Sequence, residues 1–252
     1  MIEESFLTRS PEQCWICEDT KHTLTSEHKF KASALRAIFG RSTMLMRKGM
    51  SLQGERYWKK IQGPKSGHVK FTPSICDNCN NNLTQKHDFA VSEFLGFFLN
   101  TKEGFITFTL PDQIKGINYS VQWFCHTMRY FSKHLGCVII DSDFPVPRKL
   151  SAFIREDISE IPMSLEVSMN SDRISKLTDS FGDVHDYIGH TGLLTSVKKS
   201  TRKLEFYETT LQTNKFDFRY RYEFDDQEID EISDKYKSWI SEFLREQESL
   251  SQ

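Results

Sequence analysis

No stretch of this chain is apolar for the roughly 20 residues that a membrane span needs. The opening residues, Met1-Ile2-Glu3-Glu4, lack the basic start and apolar run of an export signal. Membrane association is therefore not expected, and a cytoplasmic location is. Internal repeats and low-complexity segments are also missing. So is any excess of charge: 33 Lys and Arg against 35 Asp and Glu leave a net charge of -2, and total charge says nothing about nucleic acid. Cysteine is scarce, six in 252 residues, and paired cysteines in an unexported chain favour metal over disulfides. What remains is 38% hydrophobic and 27% charged residues, the balance of a globular protein able to bury a core.

Four of the six cysteines fall into two matched pairs, Cys14-Trp15-Ile16-Cys17 and Cys76-Asp77-Asn78-Cys79. Each Cys-x-x-Cys puts two thiolates on one tight knuckle, and two knuckles complete a tetrahedral zinc site. A structural Zn²⁺ on Cys14, Cys17, Cys76 and Cys79 is expected. Between the pairs stands Thr25-Ser26-Glu27-His28, and Asn80, Asn81 and Asn82 follow the last cysteine directly.

This frame, over about residues 12–98, resembles the HNH (His-Me finger, ββα-metal) endonucleases. The likeness is to the zinc-knuckle variant, as in phage endonuclease VII, where a metal-binding Asn follows the last zinc cysteine. The resemblance implies DNA cleavage, with His28 as general base and Glu27 and Asn80 as ligands of a catalytic Mg²⁺ or Mn²⁺. The chemistry suits the residue types: imidazole titrates near neutrality, and both other side chains offer hard oxygen donors. Adjacent residues on a strand point to opposite faces, so Glu27 and His28 share a site only if the backbone bends. On a helix Asn80, Thr84 and His87 would share a face, which adds His87 as a phosphate or metal-water contact. The family's central Asn is missing, since no Asn occurs from Met1 to Asp77; Gln62 or Ser66 would have to substitute. Bacterial phage defence is a setting that the resemblance carries with it. The alternative class is a zinc-stabilised nucleic-acid-binding or assembly protein without catalysis.

Charge is unevenly placed. Residues 29–70 hold eleven Lys or Arg against Glu55 alone, whereas residues 223–248 hold ten acids against three bases. The basic run, including Arg41, Arg56 and Lys65, is of the kind that attracts a phosphate backbone without reading sequence. The acidic tail is expected to restrain it.

The fold expected is α+β. An N-terminal zinc-stapled ββα-metal domain (1–98) precedes an α+β module (99–252) with an antiparallel sheet and a C-terminal helix, which binds a regulatory partner or a second copy. In the first part, a strand over 23–28, a helical turn at 31–39, a loop over 40–67 and a return strand at 68–72 lead into a helix from Asn80 to Phe98. Its Phe89, Phe94, Leu95 and Phe98 are expected to face a core. In the second, Phe105–Leu110 alternates, and Val121, Phe124, Met128, Phe131 and Leu135 recur with helical period. Pro145 and Pro147 read as a turn. Phe216, Phe218, Tyr220, Tyr222 and Phe224 alternate as a strand, and Asp226 to Glu246 reads as one amphipathic helix. His126, His134, His185 and His190 show no spacing that argues for metal, and Cys125 and Cys137 read as buried thiols.

Overall fold

The computed structural model describes residues 4–8, 10–39, 44–48, 57–61, 66–100, 108–109, 120–170, 172–181 and 187–249. In the first part, β1 (Leu24–Thr25) leads through α1 (Ala32–Phe39) to a hairpin of β2 (Met44–Lys48) and β3 (Tyr57–Ile61). That hairpin lies inside the stretch expected to be a loop; β-branched and aromatic side chains are few there, and its glycines dominate the pattern. Then come β4 (Ile75–Cys76) and α2 (Gln85–Asn100). The return strand expected at 68–72 is instead a 3-10 turn, Gly67–Val69, capped by the Ser66 hydroxyl. Pairing with the first strand still runs on. Lys29 N–H donates to Val69 O and Phe71 N–H to Glu27 O, and Leu24 faces Cys76 in the β1–β4 register.

The second part supplies β5 (Phe108–Thr109), α3 (Val121–Asp141), α4 (Arg148–Arg155), β6 (Ser164–Met169), α5 (Arg173–Phe181), β7 (Ile188–His190), β8 (Leu194–Lys198), β9 (Lys203–Thr213), β10 (Phe216–Glu223), α6 (Asp226–Lys235) and α7 (Lys237–Ser249). An antiparallel six-stranded sheet runs β5-β6-β10-β9-β7, with β8 also on β9. The architecture is thus α+β with antiparallel sheets and a helical C-terminus.

Three local expectations change. Helix α4, which was not expected, follows the Pro145–Pro147 connection directly: Pro147 stands just before the helix, where its fixed φ is helpful rather than breaking. The C-terminal helix is two helices meeting at Tyr236, the first opened by a reciprocal capping box between Asp225 and Glu228. Phe89 and Val121 are exposed, not core. Of the strand expected at Phe105–Leu110, only Phe108–Thr109 is among the described residues.

The alternating aromatics of β10 do face inward, and α2 and α3 cover them. Phe98 lies 5.2 Å from Phe216 and 5.3 Å from Phe218 between ring centroids, and Phe131 lies 4.9 Å from Tyr220. One apolar cluster therefore takes residues from both sides of position 98. Trp15, inside the first knuckle, packs on α3 at Gly136, where any side-chain carbon would overlap the indole. The cysteine knuckle is seated directly on the helix that carries the second part.

Candidate functional site

The four paired cysteines converge. Their sulfurs all lie within 4.8 Å of one another, and Cys17 Sγ is 3.7 Å from Cys76 Sγ. Two sulfurs about 2.3 Å from a tetrahedral zinc stand about 3.8 Å apart, so the donor set fits a structural Zn²⁺. Local backbone geometry builds each knuckle. In the first, Glu18 N–H returns to Cys14 O at 2.8 Å, with Glu18 at positive φ; in the second, Cys79 N–H donates to Cys76 Sγ at 3.3 Å. Contact with Cys79 brings the Cys14 thiol down to about 5, while burial pushes Cys17 up to about 11 and contact with Cys14 pushes Cys79 up. Zinc binds the thiolate form of each cysteine, so its uptake releases protons.

Beside this cluster lies an open cleft of about 540 Å³. Glu27, His28 and Asn80 all line it, together with Asn81, Lys31, Arg36, Gln85, Asp88 and Phe89. The segment that continues from β1 brings Glu27 and His28, and a π-helical turn over Cys79–Leu83 presents Asn80. His28 is half-buried and bridges Lys70 across the strand pairing. Asn80 Nδ2 donates to Thr25 Oγ1 at 3.1 Å, which leaves its carbonyl oxygen as the remaining acceptor. Phe89 is 65% exposed on α2.

His87 is not among the cleft residues. It is wholly buried on another side of α2, against His126 and Ile154. The π-turn before α2 and the roughly 100° per residue of the helix separate it from Asn80. Ser66 is spent on its 3-10 turn, and Gln62 lies outside the described residues.

Glu27 is engaged by a residue that no motif announced. Lys133 of α3 is fully buried, and its ammonium donates to Glu27 Oε2 at 2.9 Å, Asp88 Oδ1 at 3.1 Å and Thr84 Oγ1 at 3.2 Å. Lys31 meets the same Asp88 oxygen at 2.6 Å. Burial alone would raise the Glu27 pKa, but the charge and hydrogen bond of Lys133 overcome it and hold the carboxyl below its ordinary value. The next residue, His134, reaches the strand as well. Its Nε2 lies 2.9 Å from Lys29 O, while Tyr220 donates to Nδ1 at 2.5 Å. Residues 27 and 29 are thus held from α3 on either side of His28. A lysine and a histidine on a helix buried from Thr127 to Ile139 carry no period that separates them from core residues.

As arranged, the cleft does not fit a divalent ion on Glu27 and Asn80. The carboxylate is already neutralised by a dry ammonium, and Asp88 by two lysines.

Two lysines of the basic run are also partnered. Lys29 pairs with Asp141 at 3.0 Å and Lys31 with Asp88, acids far away in sequence. Arg36 is exposed in the cleft. Arg41, Arg56 and Lys65 lie outside the described residues. Among the described residues the acids of the tail meet Lys149, Lys203, Arg221, Tyr222 and the Ser5 backbone, and no ion pair joins them to the basic run.

No protein-family model, curated protein or solved structure matches this chain. Among the described residues no helix is long and apolar enough to cross a membrane.

Proposed function

We propose that the cleft binds the phosphate backbone of DNA and hydrolyses it, in the manner of the HNH endonucleases that the sequence resembles. One observation carries the reading: the adjacent Glu27 and His28 and, from a separate turn, Asn80 line a single cleft near the four-cysteine cluster, with Lys31 and Arg36 beside them. Arg36 meets phosphate oxygens. Phe89, an exposed ring in the same cleft, offers a face on which a base can stack. His28 takes a proton from the attacking water, the P–O bond breaks, and the leaving oxygen is protonated from solvent. The zinc cluster is structural in this reading: it fixes the strand pair and the turn that presents Asn80.

A catalytic Mg²⁺ or Mn²⁺ belongs to the resemblance, and the Lys133–Glu27 pair stands against it. That same pair favours a second reading, a zinc-stabilised nucleic-acid-binding or assembly protein without catalysis.

Plasmid incubated with the purified chain in Mg²⁺, Mn²⁺ or EDTA, beside His28→Ala, separates the two. Nicking that falls about 100-fold or more in His28→Ala, the usual weight of a general base, supports the enzyme, and the EDTA arm reports whether an added ion takes part. Retarded plasmid that is never cut under any arm assigns the binding role.

A further inference from the structure

Three helices meet at a second cluster, away from the cleft. It comprises His87 of α2, His126 of α3 and Glu156, the residue that ends α4. On α2 the cleft is lined by Gln85, Asp88, Phe89 and Ser92, and His87 stands about 150° round the helix from their mean direction.

The hydrogen bonding of the two rings points to an ion. His87 Nε2 lies 3.4 Å from the Ile154 carbonyl, so the proton belongs on that nitrogen and the Nδ1 lone pair faces His126. Arg129 Nη1, which can only donate, approaches His126 Nδ1 at 3.4 Å. A lone pair is therefore called for on that nitrogen too. The two Nδ1 atoms are 3.2 Å apart, and two lone pairs facing each other at that distance repel. Moving a proton to either Nδ1 faces it off with Arg129 or strips the bond to Ile154. A cation held between them takes both lone pairs and removes that repulsion; it displaces the Arg129 N–H from His126, and Arg129 keeps Glu156 within 3.8 Å. Two nitrogens each about 2.0–2.1 Å from a tetrahedral zinc stand about 3.3 Å apart.

The third ligand is placed by an unusual backbone. Glu156 has φ 69 and ψ 19, the left-handed helix-ending position where glycine is the common choice. Its Oε1 is 4.0 Å from His126 Nδ1, and all three ligand atoms lie within 4.8 Å of one another. Lys86 at 2.5 Å and Arg129 at 3.8 Å also reach this carboxylate, so an ion must compete with two cations for it. The Glu156 side chain is 37% exposed, which leaves a solvent-facing fourth position.

We propose that His87, His126 and Glu156 form a second metal site, separate from the four cysteines, that takes a borderline divalent ion, zinc before others. It ties α2, α3 and the end of α4 together.

The test is metal stoichiometry on the full chain, stripped with chelator and reloaded with Zn²⁺ or Co²⁺. Wild type is expected to retain one ion more than His126→Ala and Glu156→Gln. Both variants should keep the thiolate-to-cobalt charge-transfer band of the cysteine cluster. The readout does not involve cleavage, so it stands apart from the nuclease reading. His126 is near the surface, and Glu156→Gln keeps the side-chain length; circular dichroism confirms that each has folded. Equal uptake by wild type and folded Glu156→Gln, or a wild type that takes up only the thiolate-bound ion, overturns the site.

Discussion

At the scale of single residues, the ammonium of Lys133 has no water to fall back on, and its partners Glu27 and Asp88 are what keep it charged. Removing one partner of a buried pair leaves the other uncompensated, at a cost of about 3–5 kcal/mol. Lys133→Ala should lose that much stability at neutral pH by urea denaturation; a loss near zero would mean the pair is not formed. The pH sign follows from the shifts. The Glu27 pKa is lowered, so its contribution is present above the ordinary carboxylate value and fades as pH falls through the lower, folded one. Buried His134 and half-buried His190 act over a higher window. Burial brings both down to about 4, whereas unfolded histidine titrates near 6.5. The unfolded chain therefore binds more protons below that value, and stability should fall as pH drops from about 6.5 toward 4. Melting temperatures across that range check it, and His134→Phe should flatten the slope. None of this was readable in the sequence. The cysteine spacing was, because two knuckles are a local code; the Lys133–Glu27 pair joins residues 106 apart, and nothing local to either marks the other.

Among the elements, α3 is the one whose role differs most from its pattern. Its period was visible, but nothing in it marked Gly136 as the seat of Trp15. Gly136→Ala would raise helix propensity by about 1 kcal/mol but force the indole off the helix. Overpacking of that kind costs about 1–3 kcal/mol, so net destabilisation is expected, with a change in tryptophan fluorescence that the propensity gain alone would not give. At the other end of the chain, Asp225→Ala breaks a capping box and an ion pair with Lys149. Caps are worth about 0.5–2 kcal/mol, and the melting temperature should drop accordingly. Strand β10 was legible because alternation is its own signature, and its four aromatics are buried, as is Phe224 just beyond it. The β2–β3 hairpin was hidden by glycines that read as loop, and α4 by a proline that starts a helix as readily as it ends one.

For the whole molecule, a boundary at residue 98 follows the motifs but not the packing. Phe94, Leu95 and Phe98 would be bared in a fragment ending there, since they lean on α3 and on Phe216 and Phe218. Residues 1–98 alone should lack near-ultraviolet dichroism and aggregate; a fragment with native-like dichroism would restore the boundary. Chelation should act on the whole chain too. Stripping zinc from the four cysteines is expected to lower the melting temperature of the entire protein in one transition, because knuckle, helix and sheet share one apolar cluster.

Residues 133, 134 and 136 sit within a single turn of one rod, and they grip the carboxylate of Glu27, the carbonyl of Lys29 and the ring of Trp15. Sliding that rod would carry the His28 dipeptide and the metal knuckle along as one piece. Any portion grafted elsewhere with its chemistry intact must therefore run at least to Asp141, where the helix ends with its last carboxylate clasping Lys29.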